Sequence, residues 1–211
     1  MSDVELTEVR EVHRFDEEAL GQYLTEHIEG YHGAMTIRQF EGGQSNPTFL
    51  LEVAGSRYVL RKQPPGQLLP SAHQVDREYR VMQALEHTAV PVPRMYCACD
   101  DPDVIGTKFY VMEMIEGRLL TDTLLPEFSN DERHALYLEL ARIMAELHNV
   151  DVDSVGLSAF GRPGNYYERQ IGRWSKQYLA SKTEEIEAMD NLMRWLPENI
   201  PEQRKTVIVH G

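Results

Sequence analysis

Three short strand-like runs follow one another closely between Met35 and Arg61, and they constrain the fold more than any other feature of the chain. Met35–Phe40, Thr48–Val53 and Tyr58–Arg61 each have the length and the β-branched, aromatic or alternating composition of a strand. The turn cluster Gly42–Pro47 separates the first two runs, and Ala54-Gly55-Ser56 separates the last two. Connections this short cannot cross over a sheet, so the sequence predicts an antiparallel meander.

Further strands and helices flank this meander. Helices are predicted over Phe15–Ile28, with Asp16 as the N-cap, and over Val75–Leu85. Two more strands are predicted at Arg94–Cys99 and Lys108–Met114. After Gly117 the pattern indicates helices beginning near Asp131, Tyr166 and Ile186, and then a short buried strand at Thr206–Val209. The predicted class is α+β with two lobes: residues 1–116 form a five-stranded antiparallel sheet with an inserted helix, and residues 117–211 form a mainly helical, incomplete lobe.

The acidic charge balance narrows the classes of partner. The 211 residues include 21 Lys and Arg against 34 Asp and Glu, a formal net charge of −13. Such a surface repels phosphate backbones and anionic lipids, so we expect neither nucleic acid nor membrane as a partner. No run of about 18 apolar residues indicates a transmembrane helix. Cys97 and Cys99 are too close for an unstrained disulfide, and reduced cysteines without further nearby metal ligands indicate a cytoplasmic protein.

Arg61 and Glu78 form the candidate pair with the clearest chemistry. Arg61 ends the third predicted strand, and Glu78 lies within the helix that follows. Protein kinases hold the α and β phosphates of ATP with a strand cation that is paired to a helix carboxylate. Lys62 is the rival cation, but neighbouring strand residues face opposite ways, so only one of the two can face the phosphates. We choose Arg61; the alternative is that both charges are solvated surface groups.

Two other segments have possible binding roles. The Gly42–Thr48 turn offers consecutive N–H groups that can cradle an anion, although by itself the turn is better explained as an ordinary hairpin turn. The apolar run Phe109–Gly117 ends in a connector with glycine, where main-chain groups can meet adenine. The alternative is a core strand that runs into a loop.

Taken in order, these segments resemble the aminoglycoside phosphotransferase and choline kinase family, which has the protein-kinase fold. The resemblance covers about residues 30–211 and includes Gly42–Asn46, Val59-Leu60-Arg61, Arg77-Glu78, Val90–Pro93 and Val209-His210-Gly211. It implies ATP and Mg²⁺ as cofactors and a small-molecule hydroxyl as the acceptor. It also implies that Gln44 and Ser45 contact phosphate through the backbone, that Arg61 and Glu78 act as above, and that Glu113 and Ile115, next to Met112, meet adenine through the main chain.

The family's catalytic aspartate follows His-Gly directly, so the resemblance places it after Gly211. We therefore expect the chain to stop before its catalytic loop, with no catalytic or metal-binding residue of its own. Ser45–Thr48, Arg61–Gly66 and Leu69–His73 are similar to the phosphotransferase domain associated with acyl-CoA dehydrogenases, which implies a hydroxyacyl-CoA acceptor and such a dehydrogenase as fused domain or neighbour. The alternatives are an aminoglycoside- or choline-type kinase and a non-catalytic nucleotide- or partner-binding module.

Overall fold

A computed structural model describes residues 5–41, 46–66, 73–120, 122–202 and 205–209. In this part of the chain a single antiparallel sheet is formed by six strands in the order β1-β2-β3-β4-β6-β5. The strands are β1 Leu6–Thr7, β2 Met35–Phe40, β3 Thr48–Val53, β4 Ser56–Lys62, β5 Met95–Cys99 and β6 Phe109–Glu113. Each neighbouring pair is antiparallel, which confirms the predicted meander and the α+β class.

The sheet has one strand more than predicted. The additional strand, β1, is two residues long and pairs Leu6 with Phe40 and Thr7 with Gln39. Alternation cannot be recognised in two residues, so the sequence has no periodic signal for this strand.

One face of the sheet packs against helix α1, Glu17–His27. Asp16 caps this helix as predicted, because its Oδ1 accepts a hydrogen bond from the Ala19 N–H at 2.9 Å. Leu20 and Leu24 are fully buried in the cluster that also contains Phe49, Leu51, Leu60, Phe109 and Val111 from the strands. The main core of the molecule therefore lies between α1 and the sheet.

The other face of the sheet receives helix α2, Val75–Leu85, whose bounds match the prediction. Val75 packs with Met95 of β5 and Tyr110 of β6 in a second, smaller cluster. Tyr110 and its neighbour Val111 belong to different clusters, as expected when successive strand residues face opposite ways. This second face bears the side chains described in the next subsection.

The remaining helices are α3 Pro102–Ile105, α4 Asn130–Asn149, α5 Tyr166–Ser181 and α6 Glu187–Glu198. The chain divides into two compact units, Met1–Glu146 and Leu147–Gly211. No residue of α4, α5 or α6 is buried. Across the described residues, no helix is long and apolar enough to cross a membrane.

The strand predicted at Thr206–Val209 is wrong for this chain. Residues 205–209 are irregular, and Val209 is 67% exposed. A strand needs a neighbour to satisfy its backbone hydrogen bonds, and none of the six described strands pairs with this segment.

The cysteine prediction holds: Cys97 and Cys99 are both buried and free. Burial raises the pKa of the Cys97 thiol to about 12, and the neighbouring Cys99 adds to the shift. Cys97 therefore stays a protonated packing residue.

Candidate functional site

Arg61 and Glu78 form the ion pair that the sequence predicted. Arg61 Nε lies 2.7 Å from Glu78 Oε2, and the two side chains are 29% and 34% exposed. Arg61 is the penultimate residue of β4 and Glu78 lies in the first turn of α2, where the helix dipole favours a negative charge. The pair is thus fixed by two packed elements and is still accessible to a ligand.

Two further side chains hold the Glu78 carboxylate. Asn46 donates from Nδ2 to Glu78 Oε1 at 2.9 Å, and Tyr110 donates its hydroxyl proton to Glu78 Oε2 at 2.9 Å. Tyr110 is 1% exposed. Burial raises its phenol pKa, and the charge of Glu78 raises it further, so Tyr110 remains a proton donor at neutral pH.

Arg61 keeps donors available after these contacts. Its Nε serves Glu78, and one hydrogen of Nη1 serves Thr48 Oγ1 at 3.2 Å. Among the residues that the structure describes, Nη2 has no partner. A partly exposed guanidinium that is immobilised through Nε and has a further N–H donor pair at Nη2 is suited to bind an anion such as phosphate.

Lys62 does not take part in this arrangement. Its side chain points to the α1 side of the sheet, is 2% exposed, and has its Nζ 5.7 Å from the centre of the Phe15 ring. Burial lowers the pKa of its amine. The choice of Arg61 over Lys62 for the Glu78 pair is therefore confirmed.

The segment predicted to meet adenine has the main-chain groups for that role. Met112 packs against the second cluster, and the N–H of Glu113 donates to the carbonyl of Arg94 at 2.8 Å. Of Glu113's two main-chain groups, the carbonyl is the one left for adenine. Ile115 is 58% exposed, and its N–H has no partner in the described part of the chain. Among the described residues, the connector thus keeps an unpaired donor at Ile115, two residues after Glu113.

Gln44 and Ser45, the predicted phosphate-loop residues, lie outside the described residues. Asn46, which follows them, is 2% exposed and is held against Glu78.

Sequence reasoning missed Asn46, Thr48 and Tyr110 as members of the site. Tyr110 could have been found, since it stands directly opposite Arg61 in the β4–β6 register and so shares its face. Asn46 has no comparable signal, because it lies before β3 and no strand register aligns it with the site.

Comparisons with known proteins agree with this geometry. The family model described as the phosphotransferase enzyme family (APH) matches residues 36–211. A protein of Arabidopsis thaliana provisionally named an acyl-CoA dehydrogenase is 49% identical over 222 residues, and acyl-CoA dehydrogenase family member 11 of Gallus gallus is 45% identical over 210 residues. These alignments cover 98% and 97% of this chain, which spans 27% of the length of each relative.

Two solved structures have the same fold. A Ralstonia eutropha protein, provisionally described as an aminoglycoside phosphotransferase, is 49% identical with a TM-score of 0.78; the match covers 90% of this chain and 55% of that one. The complex of APH(2″)-IIa with streptomycin and ATP has a TM-score of 0.54 at 18% identity, covering 89% of this chain and 61% of that one.

Proposed function

Because the chain belongs to the phosphotransferase enzyme family, we propose that the full-length protein is a kinase that transfers the terminal phosphoryl group of ATP to a hydroxyl group of a small molecule. The observation that supports this most directly is the guanidinium of Arg61, held by Glu78 with Nη2 left for a phosphate oxygen. A fixed cation of this kind favours the charge distribution of phosphoryl transfer.

ATP fits the groups that are present. Arg61 would hold the α and β phosphates, the Glu113 carbonyl and the Ile115 N–H would meet the adenine edge, and Met112 would provide an apolar wall. We retain the backbone of Gln44 and Ser45 as phosphate contacts. We also retain residues 1–116 as the nucleotide lobe and residues 117–211 as part of the substrate lobe, since the last strand of the sheet ends at Glu113.

Mg²⁺ belongs to the proposal as the ion that accompanies ATP. Within the described residues no group of three or more His, Cys, Asp or Glu side chains could hold a metal, so we assign no magnesium ligand to them. The cytoplasm is the proposed location, based on the two free buried thiols.

Calorimetric titration of the full-length protein with MgATP tests the role of Arg61. We expect Arg61→Ala to raise the Kd for ATP about 10- to 100-fold, because it removes hydrogen bonds to a charged group. Arg61→Lys keeps the charge but loses the planar set of donors, so it should fall between Ala and the wild type. Arg142→Ala is the matched control, since Arg142 makes exposed ion pairs with Glu139 and Glu146 on α4. If Arg61→Ala and Arg142→Ala bind ATP equally well, Arg61 is not a phosphate ligand.

We propose a hydroxylated acyl-CoA as the acceptor. The support is that relatives 42–49% identical to nearly the whole chain are named as acyl-CoA dehydrogenase family members. A dehydrogenase domain or neighbour would then consume the product of the kinase. The test is ATP-dependent phosphorylation of hydroxyacyl-CoA by the full-length protein, with the parent acyl-CoA lacking the hydroxyl as control. Phosphorylation of neither compound would reject this acceptor.

An aminoglycoside is the second candidate acceptor, favoured by the name of the Ralstonia eutropha structure. Choline is the third acceptor to be tested, because a choline-type kinase is one of the alternatives. A full-length protein that binds ATP but phosphorylates none of the three classes would favour a non-catalytic nucleotide-binding module.

A further inference from the structure

We propose that Asn46 and His73 are positioning residues of the nucleotide site: they hold Glu78 through its Oε1 oxygen and thereby keep Arg61 turned to the phosphates. This inference rests on the proposed function and extends it to two side chains that do not themselves touch ATP.

The hydrogen bonds around Asn46 have only one consistent direction. The Glu78 carboxylate accepts from Arg61 and Tyr110, and the Asn46 group that faces it at 2.9 Å is the donating amide Nδ2. Asn46 Oδ1 therefore faces His73, whose Nδ1 lies 3.0 Å away. An amide oxygen can only accept, so His73 must have its proton on Nδ1. The result is a directed series from His73 through Asn46 to Glu78.

The backbone of His73 is held as tightly as its ring. Gln63 donates from Nε2 to the His73 carbonyl at 2.9 Å, and the Val75 N–H donates to the same oxygen at 2.9 Å. His73 has φ +57°, in the left-handed region that is uncommon for residues other than glycine but in which asparagine, aspartate and histidine are enriched. The two hydrogen bonds to its carbonyl therefore fix the backbone of His73, and with it the position of the ring beside Asn46.

The positions of Asn46 and His73 in the sequence place their hydrogen bonds between the proposed phosphate loop and the start of α2. Asn46 directly follows Gln44 and Ser45, and His73 stands two residues before α2 begins. With Asn46 on Oε1, and Arg61 and Tyr110 on Oε2, both oxygens of Glu78 are engaged. Without the Oε1 bond the carboxylate is held through Oε2 alone and gains freedom about its last torsion, so Arg61 is oriented less firmly.

Two substitutions of His73 separate a positioning role from a packing role. In His73→Asn the side-chain Nδ2 takes the place of the imidazole Nδ1, and asparagine tolerates φ +57°. In His73→Gln the amide reaches the Nε2 position instead and leaves no donor for Asn46. We expect His73→Gln and Asn46→Ala to raise the Kd for ATP of the full-length protein about tenfold, the equivalent of one hydrogen bond to a charged system. His73→Asn should restore ATP binding to within about twofold of the wild type.

Calorimetry and steady-state kinetics are both required. A variant that is merely less well folded shows a smaller active fraction, and so a lower kcat and binding stoichiometry, at unchanged Kd and KM for ATP. A positioning defect raises Kd and KM instead. The imidazole ¹⁵N shifts of His73 supply a second readout, and we expect the Nδ1–H form.

The outcomes for the two proposals are distinct. A wild-type protein that binds no ATP would overturn the proposed function. The positioning role would be overturned if His73→Gln and Asn46→Ala bound ATP with the wild-type Kd. It would also be overturned if the His73 ring carried its proton on Nε2 alone. Either result would leave the kinase proposal standing.

Discussion

Glu78 receives hydrogen bonds from side chains on two strands of the sheet and from one residue just before a third strand. Asn46 precedes β3, Arg61 belongs to β4 and Tyr110 belongs to β6. A partly buried carboxylate with three donors has its orientation fixed, whereas an exposed ion pair of the same length would contribute little. At the scale of single residues, this is what distinguishes Arg61 from the exposed arginines of the chain.

Lys62 leads to a prediction about stability. Its amine is buried beside Phe15, and no described carboxylate lies within ion-pair distance. Burying an unpaired charge costs free energy, so we expect Lys62→Met to stabilise the full-length protein by roughly 1–2 kcal/mol at pH 7. Lys108→Met, which removes a partly exposed lysine paired with the exposed Asp100, should change the melting temperature little.

The pH dependence of this effect follows from the lowered pKa of Lys62. Between that lowered pKa and the ordinary value of 10.5, the unfolded chain binds the proton more tightly than the folded one. Wild-type stability therefore gains relative to Lys62→Met as the pH rises through this window. In thermal melts, the melting temperature of Lys62→Met should exceed that of the wild type by less near pH 10 than at pH 7. A Lys62→Met variant that melts below the wild type at both pH values would mean that the amine has a stabilising partner.

At the scale of elements, α1 depends on its cap. Leu20 and Leu24 occupy the main core, and Asp16 holds the first turn through the Ala19 N–H. Asp16→Ala should lower the free energy of unfolding by about 1 kcal/mol, and Asp16→Asn, which keeps an accepting oxygen, should lower it by much less. Urea denaturation of the two variants measures the difference. Equal losses in both would assign the effect to the negative charge rather than to the cap.

At the scale of the molecule, the sheet with α1 and α2 buries more apolar surface than the later helices α4, α5 and α6. Leu138 and Leu140 of α4, Trp174 and Leu179 of α5, and Trp195 of α6 are each more than half exposed. Burying a large apolar side chain stabilises the folded state by roughly 1.5–3 kcal/mol, and a side chain left in water loses this contribution. The total stability of a domain is only about 5–15 kcal/mol.

We therefore predict that residues 1–211 alone melt without a single sharp transition and associate as concentration rises. Sedimentation at increasing concentration and a thermal melt of residues 1–211 test this prediction. One cooperative transition of a monomer would contradict it.

The sequence by itself determined the strand alternation and the helix periods, because these depend on spacing within an element, and α2 accordingly matched its predicted bounds. The Arg61–Glu78 pair was predicted from the likeness of its strand and helix to those of protein kinases, and the structure contains it. Only the tertiary structure decided that Asn46, His73 and Tyr110 converge near that pair, that Lys62 is buried under α1, and that Thr206–Val209 is not a strand. The reason is physical: these outcomes depend on contacts between residues distant along the chain, and no local pattern specifies which partners packing will bring together.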